Sequence, residues 1–206
     1  MIALTLIAAA CAGGQTHDTT MAPVPQAAPG QEVAVLAGGC FWCLEADLDK
    51  LPGVLHTTSG YAGGRKADPT YEEVGHGATG HAEVVRVVFD PKVVTYDALL
   101  DYFWRHVDPT DAAGQFCDRG NQYRTGIYPV DATQLATAEA SKKELQASGM
   151  LPGPVVTEIL PGQTFYPAEE YHQDFHDTNP GRYQSYRAGC GRDRRVAEVW
   201  RNEKGP

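Results

Sequence analysis

The sequence predicts an α+β fold: a two-layer α/β sandwich with a mixed sheet, a ferredoxin-like βαββαβ core and a C-terminal tail. Three observations predict it. Short apolar or alternating runs at residues 33–36, 54–59, 81–89, 125–130 and 155–160 read as strands, and segments with helical apolar spacing lie between several of them. Taken in order, the elements read β-α-β-β-α-β-α-β, which contains the split βαβ arrangement. At 206 residues the chain holds one domain with a substantial core, and no internal repeat divides it.

Residues 2–10 are apolar and end in Ala8-Ala9-Ala10-Cys11, a small-residue run before a cysteine. That pattern is similar to a bacterial lipoprotein signal, in which the cysteine is lipidated. It places the protein in the periplasm or cell envelope, attached to the membrane through Cys11. No Lys or Arg precedes the run, so a misassigned start, and with it a cytoplasmic protein, is the competing reading. The expected organisation is a signal segment at 1–11, a Gly-, Gln-, Thr-, Pro- and Ala-rich tether at 12–31, and a catalytic domain at 32–206.

The first strand, around Val33–Leu36, runs into Gly38-Gly39-Cys40-Phe41-Trp42-Cys43, and Phe41, Leu44, Leu48 and Leu51 then recur at helical spacing. Cys40 therefore falls on the first turn of an amphipathic helix. Unpaired N–H groups and the positive end of the helix dipole there favour a thiolate and lower its pKa. Cys43 lies one turn further on the same side, near enough to close a disulfide with Cys40.

Leu51-Pro52-Gly53 ends the helix, a strand follows at 54–59, and Gly60-Tyr61-Ala62-Gly63-Gly64 opens a long polar loop over 65–80. In the strand at 81–89, Glu83 shares a face with Val85, Val87 and Phe89. A carboxyl buried there has a raised pKa and keeps a proton to donate. The competing reading is a strand-end glutamate turned to water. Thr95 caps a core helix carrying Tyr96, Leu99, Leu100, Phe103 and Val107, with Trp104 and His106 beside the stripe.

Residues 108–124 have no period and read as a second functional loop, with a structural loop held by Asp and Asn caps as the competing reading. A strand at 125–130 precedes an alanine-rich helix whose Asp131-x-x-Gln134 is similar to a capping box and whose Leu135, Ala138 and Leu145 face inward. A further strand is expected at 155–160, a short helix at 167–177, an extended basic and aromatic tail at 183–190, and a weak last helix at 194–203.

The net charge of −9 argues against a nucleic-acid partner. Five cysteines are too few for a disulfide scaffold in a chain of this length, and suit redox or metal chemistry. Cys40-x-x-Cys43 and His172-x-x-x-His176 have zinc-ligand spacings, but the pairs lie too far apart in sequence for a finger. A CxxC at a helix start after a strand also fits a thioredoxin-like dithiol oxidoreductase.

The motifs Gly39-Cys40-Phe41-Trp42-Cys43, Gly60-Tyr61-Ala62-Gly63-Gly64, Pro69-Thr70-Tyr71, Gly80-His81-Ala82-Glu83 and Cys117-Asp118-Arg119-Gly120 together resemble the peptide methionine sulfoxide reductase A family. Gln122-Tyr123-Arg124 and Ala168-Glu169-Glu170-Tyr171-His172-Gln173 fit it too, in family order from Val33 to the tail. The resemblance implies reduction of methionine S-sulfoxide, in oxidised proteins and as the free amino acid, with no bound cofactor or metal and with thioredoxin or another dithiol as reductant. It implies Cys40 as nucleophile, Glu83 as proton donor helped by Tyr71 and Tyr123, Asp118 ordering the site, and Phe41 and Trp42 forming the S-methyl pocket. Cys43, Cys117 and Cys190 are all candidates to resolve the oxidised Cys40: the resemblance favours the glycine-flanked Cys190, proximity puts Cys43 next, and Cys117, beside Asp118, also fits a purely structural role.

Overall fold

A computed structural model describes residues 19–201. Its elements are β1 (Glu32–Gly38), α1 (Phe41–Leu48), β2 (Val54–Ala62), α2 (Tyr71–Gly75), β3 (Ala82–Phe89), α3 (Tyr96–Trp104), β4 (Gly114–Gln115), β5 (Asp118–Arg119), β6 (Thr125–Ile127), α4 (Ala132–Ala147), β7 (Glu158–Ile159), β8 (Tyr166–Pro167), α5 (Phe175–Thr178), α6 (Pro180–Cys190) and α7 (Arg192–Val199).

The six-stranded sheet has the order β7-β6-β1-β3-β2-β8. Its inner four strands, β6-β1-β3-β2, pair antiparallel throughout. Together with α1 and α3 they form the expected ferredoxin-like core. β7 adds parallel to β6 after the α4 crossover, which makes the sheet mixed. Val85, Val87 and Phe89 on one face of β3 pack with Leu44 and Leu48 of α1 and Leu99, Leu100 and Phe103 of α3. On the other face, Val35, Ala37, Ala62, Ala82, Val84 and Tyr128 gather with Leu160 and Phe165. Both faces of β3 are thus covered, and its side chains are buried at every position except Arg86.

Several elements differ from the sequence expectation. The loop at 65–80 contains α2, started by a full capping box: Glu73 N–H donates to Thr70 Oγ1 at 3.4 Å, and Thr70 N–H donates to Glu73 Oε2 at 3.0 Å. The Asp131 cap of α4 forms only half a box. Gln134 N–H donates to Asp131 Oδ1 at 2.8 Å, but the Gln134 side chain instead donates to Val33 O at 2.7 Å and so ties α4 to the sheet. The strand expected at 155–160 is confined to β7. The helix expected at 167–177 is split into β8, a 3₁₀ turn at Glu170–His172 and α5.

The expected extended tail is helical. Pro180 opens α6 and Gly191, at φ +70°, stops it before α7. Gly181 and Gly189 inside α6 depress its intrinsic propensity, so its packing carries it: Tyr183 sits against Cys43, Ala46 and Phe175.

The end of the expected tether is docked as well. Ala22 N–H donates to Ala168 O at 3.0 Å, Glu170 N–H to Thr20 O at 2.8 Å, and Arg86 Nη1 to Pro25 O at 2.8 Å. Backbone pairing along the chain around Ala168 and Glu169 overrides a composition typical of flexible linkers. The proposed signal segment lies outside the described residues.

One buried carboxyl of α1 belongs to none of the motifs above. Glu45 is 1% exposed and accepts from Asp174 N–H at 3.0 Å. Burial, then the charges of Asp49 and Asp174, push its pKa up to about 8. The folded protein therefore holds a proton here that the unfolded chain releases from about pH 4.5 upward, so this group's contribution to stability falls as pH rises through 4.5 to about 8. Glu45→Gln should remove that dependence, by up to about 1.4 kcal/mol per pH unit, in urea unfolding curves taken from pH 5 to 8. Parallel curves for variant and parent would count against it.

Candidate active site

Cys40 is the N-cap residue of α1, reached from β1 through Gly38 and Gly39. Gly39 has φ +81°, and a Cβ there would lie 2.6 Å from Gln115 Cβ, so both its conformation and its contact require glycine. Gln115 is buried on the β4–β5 hairpin and exchanges hydrogen bonds with Asp108: Asp108 N–H donates to Gln115 Oε1 at 2.9 Å, and Gln115 Nε2 donates to Asp108 O at 2.8 Å. The glycine turn thus presses the loop before Cys40 against the hairpin that carries Asp118.

Glu83 is buried on β3, opposite Tyr61 of β2, and its Oε2 accepts from Phe41 N–H at 2.9 Å. Its pKa rises to about 8, first from burial and then from Asp118 and Cys43, against the lowering effect of the Phe41 bond. The carboxyl keeps its proton near neutral pH, as its strand phase predicts.

The thiol does not behave as the helix-terminus argument predicts. Burial pushes Cys40 well above an ordinary thiol, and the contact with Cys43 and the charge of Glu83 add to this. The first N–H of α1, which was expected to face the sulfur, goes to Glu83 instead. In a dry pocket beside an acidic group, desolvation outweighs the dipole. Cys43, buried one turn along, is lowered by its hydrogen bond from Cys40, with Arg192 and Arg187 adding positive charge.

An aromatic wall encloses the site. Phe41 stacks on Tyr71 with centroids 6.3 Å apart and contacts the His172 ring at 5.0 Å. Trp42 stacks on Phe175 at 3.8 Å and meets Tyr186 edge-on at 5.9 Å. Trp42 Nε1 donates to His172 Nδ1 at 3.1 Å, which fixes the indole. Buried Glu169 anchors the opposite side, accepting from Tyr61 OH and Tyr71 N–H, both at 2.9 Å. The phenols of Tyr71 and Tyr123 are raised by burial and then by Glu83, so both remain protonated donors facing that carboxyl.

All the residues drawn from the motifs except Cys190 converge here: Cys40, Phe41, Trp42, Cys43, Tyr71, Glu83, Asp118 and Tyr123. Cys190 occupies the rim and forms a disulfide with Cys117, while Cys40 and Cys43 are free. The Cys40–Cys190 pairing favoured from the resemblance is therefore not the bond present, and Cys117 is more than a bystander. The two histidines of the zinc-like spacing do not join the cysteine pair, since His172 faces Trp42 and His176 lies 3.6 Å from Asp49. Among the described residues, the one cluster with converging ligand atoms is Cys117, Asp118 and Cys190, whose sulfurs are bonded to each other.

Sequence reading missed four participants. Tyr186 was hidden in a segment read as extended. The motif containing Glu169 and His172 was visible, but no periodicity assigned those residues a direction. Arg192, 1% exposed, donates to Gly38 O at 3.0 Å and His106 O at 2.8 Å, bracing the loop before Cys40. Its one sequence signal is its place in the Arg192-Arg194-Arg195 run.

The family model for peptide methionine sulfoxide reductase matches residues 32–204. The chain is 49% identical over 170 residues to peptide methionine sulfoxide reductase MsrA of Bacillus licheniformis, covering 82% of this chain and 94% of that protein. It is 47% identical over 183 residues to MsrA/MsrB of Vibrio cholerae, covering 89% of this chain and 48% of that longer relative. Among solved structures it is similar to reduced Mxr1 of Saccharomyces cerevisiae, with TM-score 0.71, 34% identity, and coverage of 76% of this chain and 90% of that one. The same yeast protein in complex with Trx2 matches with TM-score 0.52 and 25% identity, over 73% of this chain and 89% of that one. With the match extending from β1 through α1 to the tail, the chain belongs to the peptide methionine sulfoxide reductase A family.

Proposed function

We propose that the protein reduces the S epimer of methionine sulfoxide, in oxidised proteins and as the free amino acid, with Cys40 as nucleophile. The observation that carries this reading is the pairing of a buried thiol with a protonated carboxyl across one backbone N–H, that of Phe41. Phe41 and Trp42 receive the S-methyl group. Tyr71 and Tyr123 hold the sulfoxide oxygen by hydrogen bonds, and Glu83 protonates it, which makes the sulfur electrophilic. Cys40 sulfur adds, the S–O bond breaks with transfer of the oxygen, methionine leaves, and Cys40 remains as sulfenic acid. Asp118 orders this side of the pocket.

Recycling begins when a second thiol attacks the sulfenic sulfur and expels water. Cys190 is the favoured resolver and Cys43 the alternative. With Cys190, the Cys117 thiolate next attacks Cys190 sulfur and releases Cys40, leaving the Cys117–Cys190 bond that the structure contains. Cys117 is exposed and Cys40 is buried, so an external dithiol reaches the outer pair more readily. A thioredoxin-like protein suits that role, and yeast Mxr1 in complex with Trx2 is consistent with it. No bound cofactor is needed. The apolar run ending at Cys11 supports a lipid-anchored domain in the periplasm or cell envelope, with residues 32–206 as the catalytic unit.

An assay on the two separated sulfoxide epimers tests the activity: turnover of S and not R is expected, and turnover of neither would sink it. Reduction of insulin-type disulfides with no action on sulfoxide would instead favour a general dithiol oxidoreductase. For the resolver, Cys117→Ser should accumulate Cys40–Cys190 on mixing with sulfoxide, read by peptide mass. Accumulation of Cys40–Cys43 would transfer the role to Cys43.

A further inference from the structure

The capping box of α2 is closed on itself: Thr70 and Glu73 exchange their own two hydrogen bonds, and neither uses the amide of Tyr71, the first residue of the helix. That donor is met from 98 residues away, by Glu169 Oε1 at 2.9 Å. The other oxygen of the same carboxyl accepts from Tyr61 OH, also at 2.9 Å. Glu169 is 3% exposed, and with both oxygens engaged its role is to hold. A backbone N–H cannot rotate as a hydroxyl can, so this bond sets where Tyr71 enters the pocket. From there its ring lies against Phe41, with centroids 6.3 Å apart, and against His172 at 4.3 Å.

Glu169 is in turn held through its backbone. Ala168 N–H donates to Ser59 O of β2 at 2.9 Å, while Met21 pairs antiparallel with Glu169. Around that bridge, Ala22 N–H donates to Ala168 O and Glu170 N–H donates to Thr20 O. Residues 168–170 are thus hydrogen-bonded both to β2 and to residues 20–22. Arg86 of β3 clips the same N-terminal segment further along, at Pro25 O.

We propose that Glu169 is a positioning residue for sulfoxide reduction, acting through Tyr71, and that residues 20–22 act through Glu169. The inference rests on the proposed function, in which the Tyr71 phenol holds the sulfoxide oxygen. It makes a segment of linker composition part of the frame that places the substrate.

The test measures kcat/KM on the S epimer with dithiothreitol as reductant, in the full chain and in a Tyr71→Phe background that keeps the amide and lacks the phenol. Glu169→Ala should lower kcat/KM at least about tenfold in the full chain and less than about twofold in that background. Glu169→Gln should recover most of the loss, because the amide oxygen can serve Tyr71 N–H while the Tyr61 hydroxyl rotates to accept from the amide. Ala22→Pro, which removes the N–H given to Ala168 O, should cost about threefold, again only where the phenol is present. Hydrogen exchange supplies a readout independent of turnover: the Tyr71 amide should exchange about tenfold faster in Glu169→Ala than in the parent, and faster in Ala22→Pro.

Unchanged kcat/KM in Glu169→Ala, or an equal loss with and without the Tyr71 phenol, overturns the role of Glu169. Parental turnover and parental Tyr71 exchange in Ala22→Pro overturn the role of residues 20–22. Near-ultraviolet circular dichroism reports folding, and Ala22→Pro carries the comparison should Glu169→Ala fail to fold. A parent active on the S epimer whose variants show no dependence on Tyr71 defeats this inference alone, whereas a parent inactive on both epimers defeats the reductase reading and this inference with it.

Discussion

Cys40→Ser will abolish sulfoxide reduction, with single-turnover rates falling by at least about 10³-fold. A serine hydroxyl is nearly the same size as the thiol, so the loss cannot be assigned to packing. It is far less acidic and less nucleophilic, and it cannot form a sulfenic acid. The variant carries a second readout that a structural role would not move. On the proposed mechanism oxidising equivalents enter through Cys40, so a reduced Cys40→Ser enzyme mixed with sulfoxide should keep both Cys117 and Cys190 as thiols, while the parent should form the bond between them. Rapid-quench measurement of methionine and thiol titration of the same samples give both results. Residual turnover within tenfold of the parent, or formation of the Cys117–Cys190 bond at the parental rate, would exclude Cys40 as the entry point.

The parts of this site legible in the sequence were those carried by local pattern. Glu83 announced its burial through the two-residue phase it shares with Val85, Val87 and Phe89, because a strand fixes which side chains share a face. Cys40 announced its place through two glycines and the helical spacing of Leu44 and Leu48. What stayed hidden depended on packing between distant segments. The Cys40 ionisation was read with the wrong sign because sequence shows a helix start but not that Glu83, 42 residues away, takes the first N–H. Likewise α6 contains two glycines and two tyrosines rather than an apolar stripe, and it becomes a helix by leaning on Cys43, Ala46 and Phe175. The Cys117–Cys190 bond spans 73 residues, a pairing that no spacing rule yields.

Glu83→Gln separates proton donation from everything else this carboxyl does. Glutamine keeps an oxygen to accept from Phe41 N–H and an amide to donate to a sulfoxide oxygen, so the pocket's shape and hydrogen bonding are retained. It has no acidic proton to transfer. Sulfenic acid formation should slow by about 10²- to 10⁴-fold, the usual contribution of general acid catalysis. The pH profile sharpens the assignment. In the parent, the rate should fall as pH rises through about 8, where Glu83 loses the proton it donates, and that limb should vanish in the variant. Stability should move the opposite way. Because the folded pKa of Glu83 is raised from 4.5 to about 8, ionising it costs the native state, and its contribution to stability is lost as pH rises across that interval. Glutamine does not titrate, so relative to the parent the variant should gain stability as pH rises from 5 to 8 while losing its chemistry. An inactive variant that also unfolded more readily at pH 8 would point to a collapsed pocket, and an unchanged single-turnover rate would remove Glu83 as the acid.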